Sequence, residues 1–212
     1  EHRGPTVFFG IDDPSVGGGW RYSWNENPDN SASQWGVIGL LAAERLFGQT
    51  APQWAKDRNM VWLRYSMAGD GGFGYQGPGS TPVLTLAGMV QMSWDGVTTN
   101  SAMWRNAENY VAGNWTSITG PTDLYMLYGL AKAMRLAQPQ RVERFAATGK
   151  DWYRDPSNGV ARLLIDRQDS TNRCWFGVAG GLVNDTVYAT AWATIILSDA
   201  LLQLPPVADF QI

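Results

Sequence analysis

The residues best equipped for chemistry are acids and aromatics placed where loops pass into expected helices. Tyr22, Trp24, Asp29, Tyr75, Asp123, Asp185 and Tyr188 all fall near such junctions. Rings there can stack on sugar faces, and carboxylates can do the acid–base work of glycoside chemistry. The plainer assignment gives the same residues structural work, with aspartates capping helix N-termini and rings closing one end of the fold. Asp12-Asp13-Pro14 adds an acidic pair in the composition of a turn. Asp12, Asp13 and Asp185 are thus the candidate acids, and the turn and helix-start readings are favoured over catalysis. Trp20, Tyr22, Trp24, Phe73, Tyr75, Trp175 and Tyr188 are the candidate ligand-binding rings.

Other chemistries lack parts. A catalytic zinc site needs three well-placed protein ligands, and His2 is the single histidine of the chain, close to an end. The same shortage removes a serine or cysteine triad. Cys174 stands alone, so no intrachain disulfide forms, and beside Trp175 it reads as a small buried hydrophobe. No metal and no cofactor is expected. Asn114-Trp115-Thr116 and Asn184-Asp185-Thr186 match the glycosylation pattern, but Asp185 reads better as a helix-start acid.

Composition bounds the partners. With 212 residues, 44% hydrophobic and 17% charged, the chain is that of a folded globular protein. Its net charge of −3 and the lack of a long Lys/Arg run set nucleic acid aside. The longest apolar stretch, Ala189 to Leu204, is interrupted by Ser198, Asp199 and Gln203, so no membrane span is expected. The 11 Trp and 24 Gly imply a core of large rings divided by sharp turns. Glu1 follows no initiator Met or signal pattern, and the chain is expected to be a mature product or a piece of a longer one.

The elements that must position these residues repeat. Gly18-Gly19-Trp20-Arg21-Tyr22, Gly71-Gly72-Phe73-Gly74-Tyr75 and, more loosely, Cys174-Trp175-Phe176-Gly177 each precede a polar loop and then an apolar helical run. Ala112-Gly113-Asn114-Trp115 is a degenerate fourth copy. Helices are expected near 31–47, with Gly48 as its left-handed cap, near 82–94 after Ser80-Thr81-Pro82, near 122–137 with Thr122 as cap, and near 185–204. Small residues such as Gly36, Gly39, Ala42, Gly88, Gly129, Ala189, Ala191 and Ala193 mark these four as crowded inner helices. Amphipathic segments at 52–67, 100–110 and 143–166 are expected to form an outer layer, and residues 5–10 a short extended piece.

The first motif, continued by Asp29-Asn30-Ser31-Ala32-Ser33-Gln34-Trp35, resembles a repeat of the squalene-cyclase and prenyltransferase-type α/α toroids. Gly71 to Gly79 is similar to the glycine–aromatic turn of protein prenyltransferase β subunits, and Asp185 to Ala191 to a helix start of the same superfamily. The resemblance covers most of residues 17–204 and implies an all-α fold, a complete or partial α/α toroid of helical hairpins with Gly-aromatic turns. It also shows what is missing. Gly10 stands where cyclases of this kind carry the leading aspartate of their acid cluster, ahead of Ile11, Asp12 and Asp13. Ala189 stands where prenyltransferases carry the zinc histidine, and Arg173-Cys174-Trp175 does not match a thioester motif. Leu204-Pro205-Pro206-Val207-Ala208-Asp209-Phe210 resembles a linker entering a PKD-type immunoglobulin-like domain, which implies a secreted or cell-surface parent. The expected organisation is an extended segment at 1–16, a toroid at 17–204, and a linker with the start of a β-domain at 205–212. The expected function is a non-catalytic structural or binding module, its partners copies of itself, other surface proteins, a carbohydrate or an isoprenoid. The alternative is a cyclase- or lyase-like enzyme acting on an isoprenoid or polysaccharide.

Overall fold

The computed structural model describes residues 17–23, 26–120, 123–177 and 186–198. The described residues form eight helices and no strand, only isolated β-bridges. The chain is all-α. Helices α1 (Asn30–Phe47), α2 (Gln53–Ser66), α3 (Pro82–Trp94), α4 (Ala102–Gly113), α5 (Trp115–Thr119), α6 (Leu124–Leu136), α7 (Val160–Arg167) and α8 (Thr186–Leu197) follow in order. The expected segments at 1–16 and 205–212, with the extended piece at 5–10, lie outside the described residues.

Local chemistry sets the helix ends. Asp29 caps α1, its carboxylate accepting from the Ala32 N–H at 2.6 Å. Gly48 closes that helix in the left-handed region with φ 64°. Thr81 caps α3 with Pro82 in the first turn. The cap of α6 is Asp123, whose side chain accepts from the Tyr125 and Met126 N–H groups; the expected cap Thr122 lies outside the described residues. A carboxylate adds charge at the positive end of the helix, which a threonine does not.

Helix α3 is the centre of the molecule. It packs against both α1 and α6, and α6 packs in turn against α8. The row α1–α3–α6–α8 is therefore built from the four helices that carry the small residues. Helices α2 and α4 pack on α3, α7 packs on α8, and short α5 touches α3, α4 and α6. Every residue of α3 from Leu84 to Trp94 is buried.

Two glycine corners attach to this frame in the same way. Gly18 and Gly71 both have positive φ, 150° and 90°, and a Cβ on either would drive into a helix carbonyl, that of Arg58 in α2 or Asn106 in α4. The rings that follow are anchored alike. The Trp20 N–H donates to Ser33 Oγ at 2.8 Å, Phe73 N–H to Thr85 Oγ1 at 3.0 Å, and Trp175 N–H to Thr190 Oγ1 at 3.2 Å. Trp20 lies against Gly36 and Phe73 against Gly88. A hydroxyl in the first turns of a row helix thus receives the backbone of the preceding aromatic three times.

Three expectations change. Trp115 is the first residue of a short helix, its ring edge-on to Phe145 at 5.5 Å, because α4 runs through Gly113. The segment 143–166 is helical only from Val160 onward; before that, Asp151 and Asp155 fold their side chains onto following backbone N–H groups and hold it in turns. Gly39, Ala42 and Ala191 are not crowded: all three are exposed, and a Cβ on Gly39 would meet nothing within 4 Å.

Candidate functional site

Asn30, the first residue of α1, ties that helix to the Gly74–Tyr75 turn, to α2 and to the last turn of α3. Its side chain donates to the Gly74 carbonyl at 2.8 Å and accepts from Trp62 Nε1 at 2.8 Å and Gln91 Nε2 at 2.9 Å. Its own N–H donates to the Tyr75 carbonyl. This holds the Gly74–Tyr75 turn beside the start of α1. Arg21, from the first corner, reaches over that junction. It forms an ion pair with Asp29 at 2.9 Å, and its guanidinium lies over the rings of Tyr22 and Tyr75 at 5.6 and 5.5 Å. Tyr22, Asp29 and Tyr75, three of the residues selected by type, are therefore gathered at one end.

The field continues onto α6 and α8. Tyr125 Oη bonds with Ser31 Oγ at 2.9 Å and accepts from Gln34 Nε2 at 2.7 Å. The Tyr125 ring contacts Trp35 at 6.4 Å and Trp192 at 5.4 Å, and Tyr128 contacts the same two at 6.1 and 5.8 Å. Trp35 and Trp192 thus flank the two tyrosines of α6 from α1 and α8.

Lys132 lies behind this field, one turn beyond Tyr128, and is only 3% exposed. Its ammonium is 4.3 Å from the ring centroids of both Trp35 and Tyr128 and donates to Gln34 Oε1 at 3.1 Å. Burial pushes its pKa down to about 7, while the two ring faces favour the charged form. Side chains from α1 and α6 thus meet at Lys132. Burial also raises the Tyr125 and Tyr128 hydroxyls, and Tyr75 is raised by burial and by the Asp29 carboxylate. Each is thereby held more firmly as the neutral phenol.

The other sequence candidates are dispersed. Asp12, Asp13, Trp24 and Asp185 lie outside the described residues. Phe73 and Trp175 are buried packing rings, and half-buried Trp20 meets Trp94 edge-on at 5.8 Å. Tyr188 is half exposed on the first turn of α8. Asp123 is spent on its helix cap. No group of three potential metal-binding side chains occurs among the described residues.

Residues not selected from the sequence carry the strongest perturbations. Besides Lys132, these include Asp95 at the end of α3, whose pKa burial lifts to about 8 against the pull of nearby Lys56. Its Oδ2 accepts from Asn59 Nδ2 at 2.9 Å. Asp95 Oδ1 and Asn59 Oδ1 are both buried without a hydrogen-bond partner. A proton on Asp95 would supply a donor where the carboxylate offers only acceptors.

Fold and site together define an all-helical protein with an aromatic, hydroxyl-rich face on a four-helix row. No family model matches the chain, and neither a curated protein nor a solved structure is significantly similar to it. No helix among the described residues is long and apolar enough to cross a membrane.

Proposed function

We propose that this chain is a non-catalytic extracellular or cell-surface module, structural or ligand-binding, with a terpenoid cyclase-like α/α-toroid architecture that is complete or partial. The observation that carries the reading is the position of Lys132. In a toroid of this kind the space in front of the inner helices holds substrate, and aromatic rings there stabilise cationic intermediates. Here Lys132 brings the protein's own cation to Trp35 and Tyr128, and Gln34 and Tyr125 fill the space beside it. The succession α1–α3–α6–α8 and the equivalent anchoring of Trp20, Phe73 and Trp175 support an inner ring fed by Gly-aromatic corners. The secreted setting rests on the resemblance of residues 204–210 to a PKD-type linker.

Enzymatic readings fare worse on the same geometry. The tyrosines at the open end have raised pKa values, opposite to what a tyrosine base in a lyase needs. Asp29 is held by Arg21 and caps its helix. For ligand binding, a carbohydrate suits the open rings of Tyr22, Tyr75 and Trp35, because hydroxyls and a guanidinium alternate with apolar faces.

The test is to empty the centre. Lys132→Ala should create binding for an apolar fluorescent dye or a polyene alcohol that the unaltered protein does not take up. Tight, saturable polyene binding by the unaltered protein, with conversion detected by mass spectrometry, would refute the proposal.

A further inference from the structure

The segment that leaves α6 is fastened to α4 at two places, with an open space between them. The Thr99 N–H, just before α4, donates to the Gln138 carbonyl at 2.7 Å, and Glu108 Oε1 accepts from the Ala146 N–H at 2.6 Å. Between these ties lies a cavity of about 760 Å³, within the roughly 300–1,000 Å³ of pockets that hold small ligands. No residue of the field around Lys132 lines it. Its charged lining is Arg105, Arg141 and Arg144 against Glu108 and Glu143. Glu108 is buried, and its oxygens are taken up by Trp104 Nε1 at 2.8 Å and by Ala146. Arg141 pairs with Glu143 at 3.3 Å and Arg144 with Asp151 at 3.5 Å, both at the exposed rim, where ion pairs are weak enough to give way to a ligand. Arg105 is exposed, and its guanidinium makes no ion pair or hydrogen bond among the described residues. The side-chain amides of Asn100 and Gln140, also in the lining, are equally unspent there.

We propose that this cavity binds a small anionic ligand through a carboxylate or phosphate group held by Arg105. A guanidinium presents its N–H groups as a fork that matches two oxygens of either group, and Arg105 is the cation here with no carboxylate in that fork. The Asn100 and Gln140 amides add donors beside it, and Arg141 and Arg144 can turn from their rim partners toward the same charge. The chain as a whole carries a net charge of −3, so its overall field repels anions and recognition falls to this local arrangement. The ties at Gln138 and Ala146 hold the two walls in place before a ligand arrives, which lowers the ordering cost of binding. The cavity is also larger than one oxyanion needs, leaving room for the body of the ligand, such as a sugar ring.

Isothermal titration calorimetry at low salt tests it with two anionic probes, a galacturonate trimer and glucose 6-phosphate, and with maltotriose as the neutral control. At least one anionic probe should bind saturably at a single site, and which one binds tells the carboxylate source from the phosphate source. Maltotriose should not bind. Arg105→Gln should weaken the binding at least tenfold while leaving the circular dichroism spectrum unchanged, since the position is exposed and glutamine is a good helix former. Arg144→Gln is the second variant and should weaken it severalfold. Arg64→Gln, at an exposed arginine of α2 outside the cavity, should change nothing. Failure of both anionic probes to bind, equal binding of maltotriose, full affinity in Arg105→Gln, or an equal loss in Arg64→Gln would overturn the proposal. None of these results bears on Lys132, so the proposed function stands or falls separately.

Discussion

Asn30→Ala is expected to destabilise the protein by about 4 kcal/mol, more than its small change in volume accounts for. The amide makes three hydrogen bonds in a fully buried position, to Gly74, Trp62 and Gln91. Removing it leaves three buried partners, each costing about 1–3 kcal/mol when unsatisfied. Gln91 Nε2 also reaches the Ala87 carbonyl at 3.3 Å, so its loss is partly covered. Two full penalties remain, roughly 2–6 kcal/mol, with some non-additivity because the groups share one network. Asn30→Asp is the control for volume. It keeps the shape but places an oxygen against the Gly74 carbonyl, and should be no more stable than the alanine variant. Urea denaturation followed by circular dichroism and tryptophan fluorescence reads both. A loss below about 1 kcal/mol for Asn30→Ala would refute the claim that this amide fastens the turn, α1, α2 and α3 together.

Three further outcomes follow from the buried groups. Asp95 holds its proton to about pH 8 when folded and releases it near pH 4 when unfolded, so the folded state binds more protons in that window. Stability should therefore fall with rising pH by up to about 1.4 kcal/mol per unit between roughly pH 5 and 7, and Asp95→Asn should abolish that slope in denaturation measured across pH. Lys132 has the opposite sign: its folded pKa of about 7 lies below the unfolded value near 10.4, so stability should rise between roughly pH 8 and 10. Lys132→Met should flatten that rise. Gly71→Ala should cost more than about 2 kcal/mol and lower Tm, because a positive φ and the Asn106 carbonyl both oppose a Cβ there; an unchanged Tm would contradict the corner geometry.

Local signals carried most of the helical frame. Thr81-Pro82 and Gly48 are punctuation whose physics acts within one turn, and α3 and the end of α1 fall where those residues place them. Gly18 and Gly71 act as locally, through a φ that few other residues tolerate. Lys132 was not. In the run Gly129-Leu130-Ala131-Lys132-Ala133 it looks like an ordinary surface lysine, and its partners Gln34 and Trp35 come from a helix far earlier in the chain. Asp95 likewise looks like a helix-end acid until Asn59 of α2 is placed beside it. Gly39, Ala42 and Ala191 misled for the converse reason: small residues report that a close approach is possible, not that a neighbour in the same chain makes it.

The proposed function stands on Lys132 lying buried between Trp35 of α1 and Tyr128 of α6. The chain has three lysines, Lys56, Lys132 and Lys150, so NMR of their side-chain Cε–Hε groups is tractable, with Lys132→Met giving the assignment. One signal should disappear in that variant, titrate near pH 7, and be displaced upfield by the Trp35 and Tyr128 rings. A Lys132 signal that titrates near pH 10.4 without ring-current displacement would place the amine in water and contradict the account.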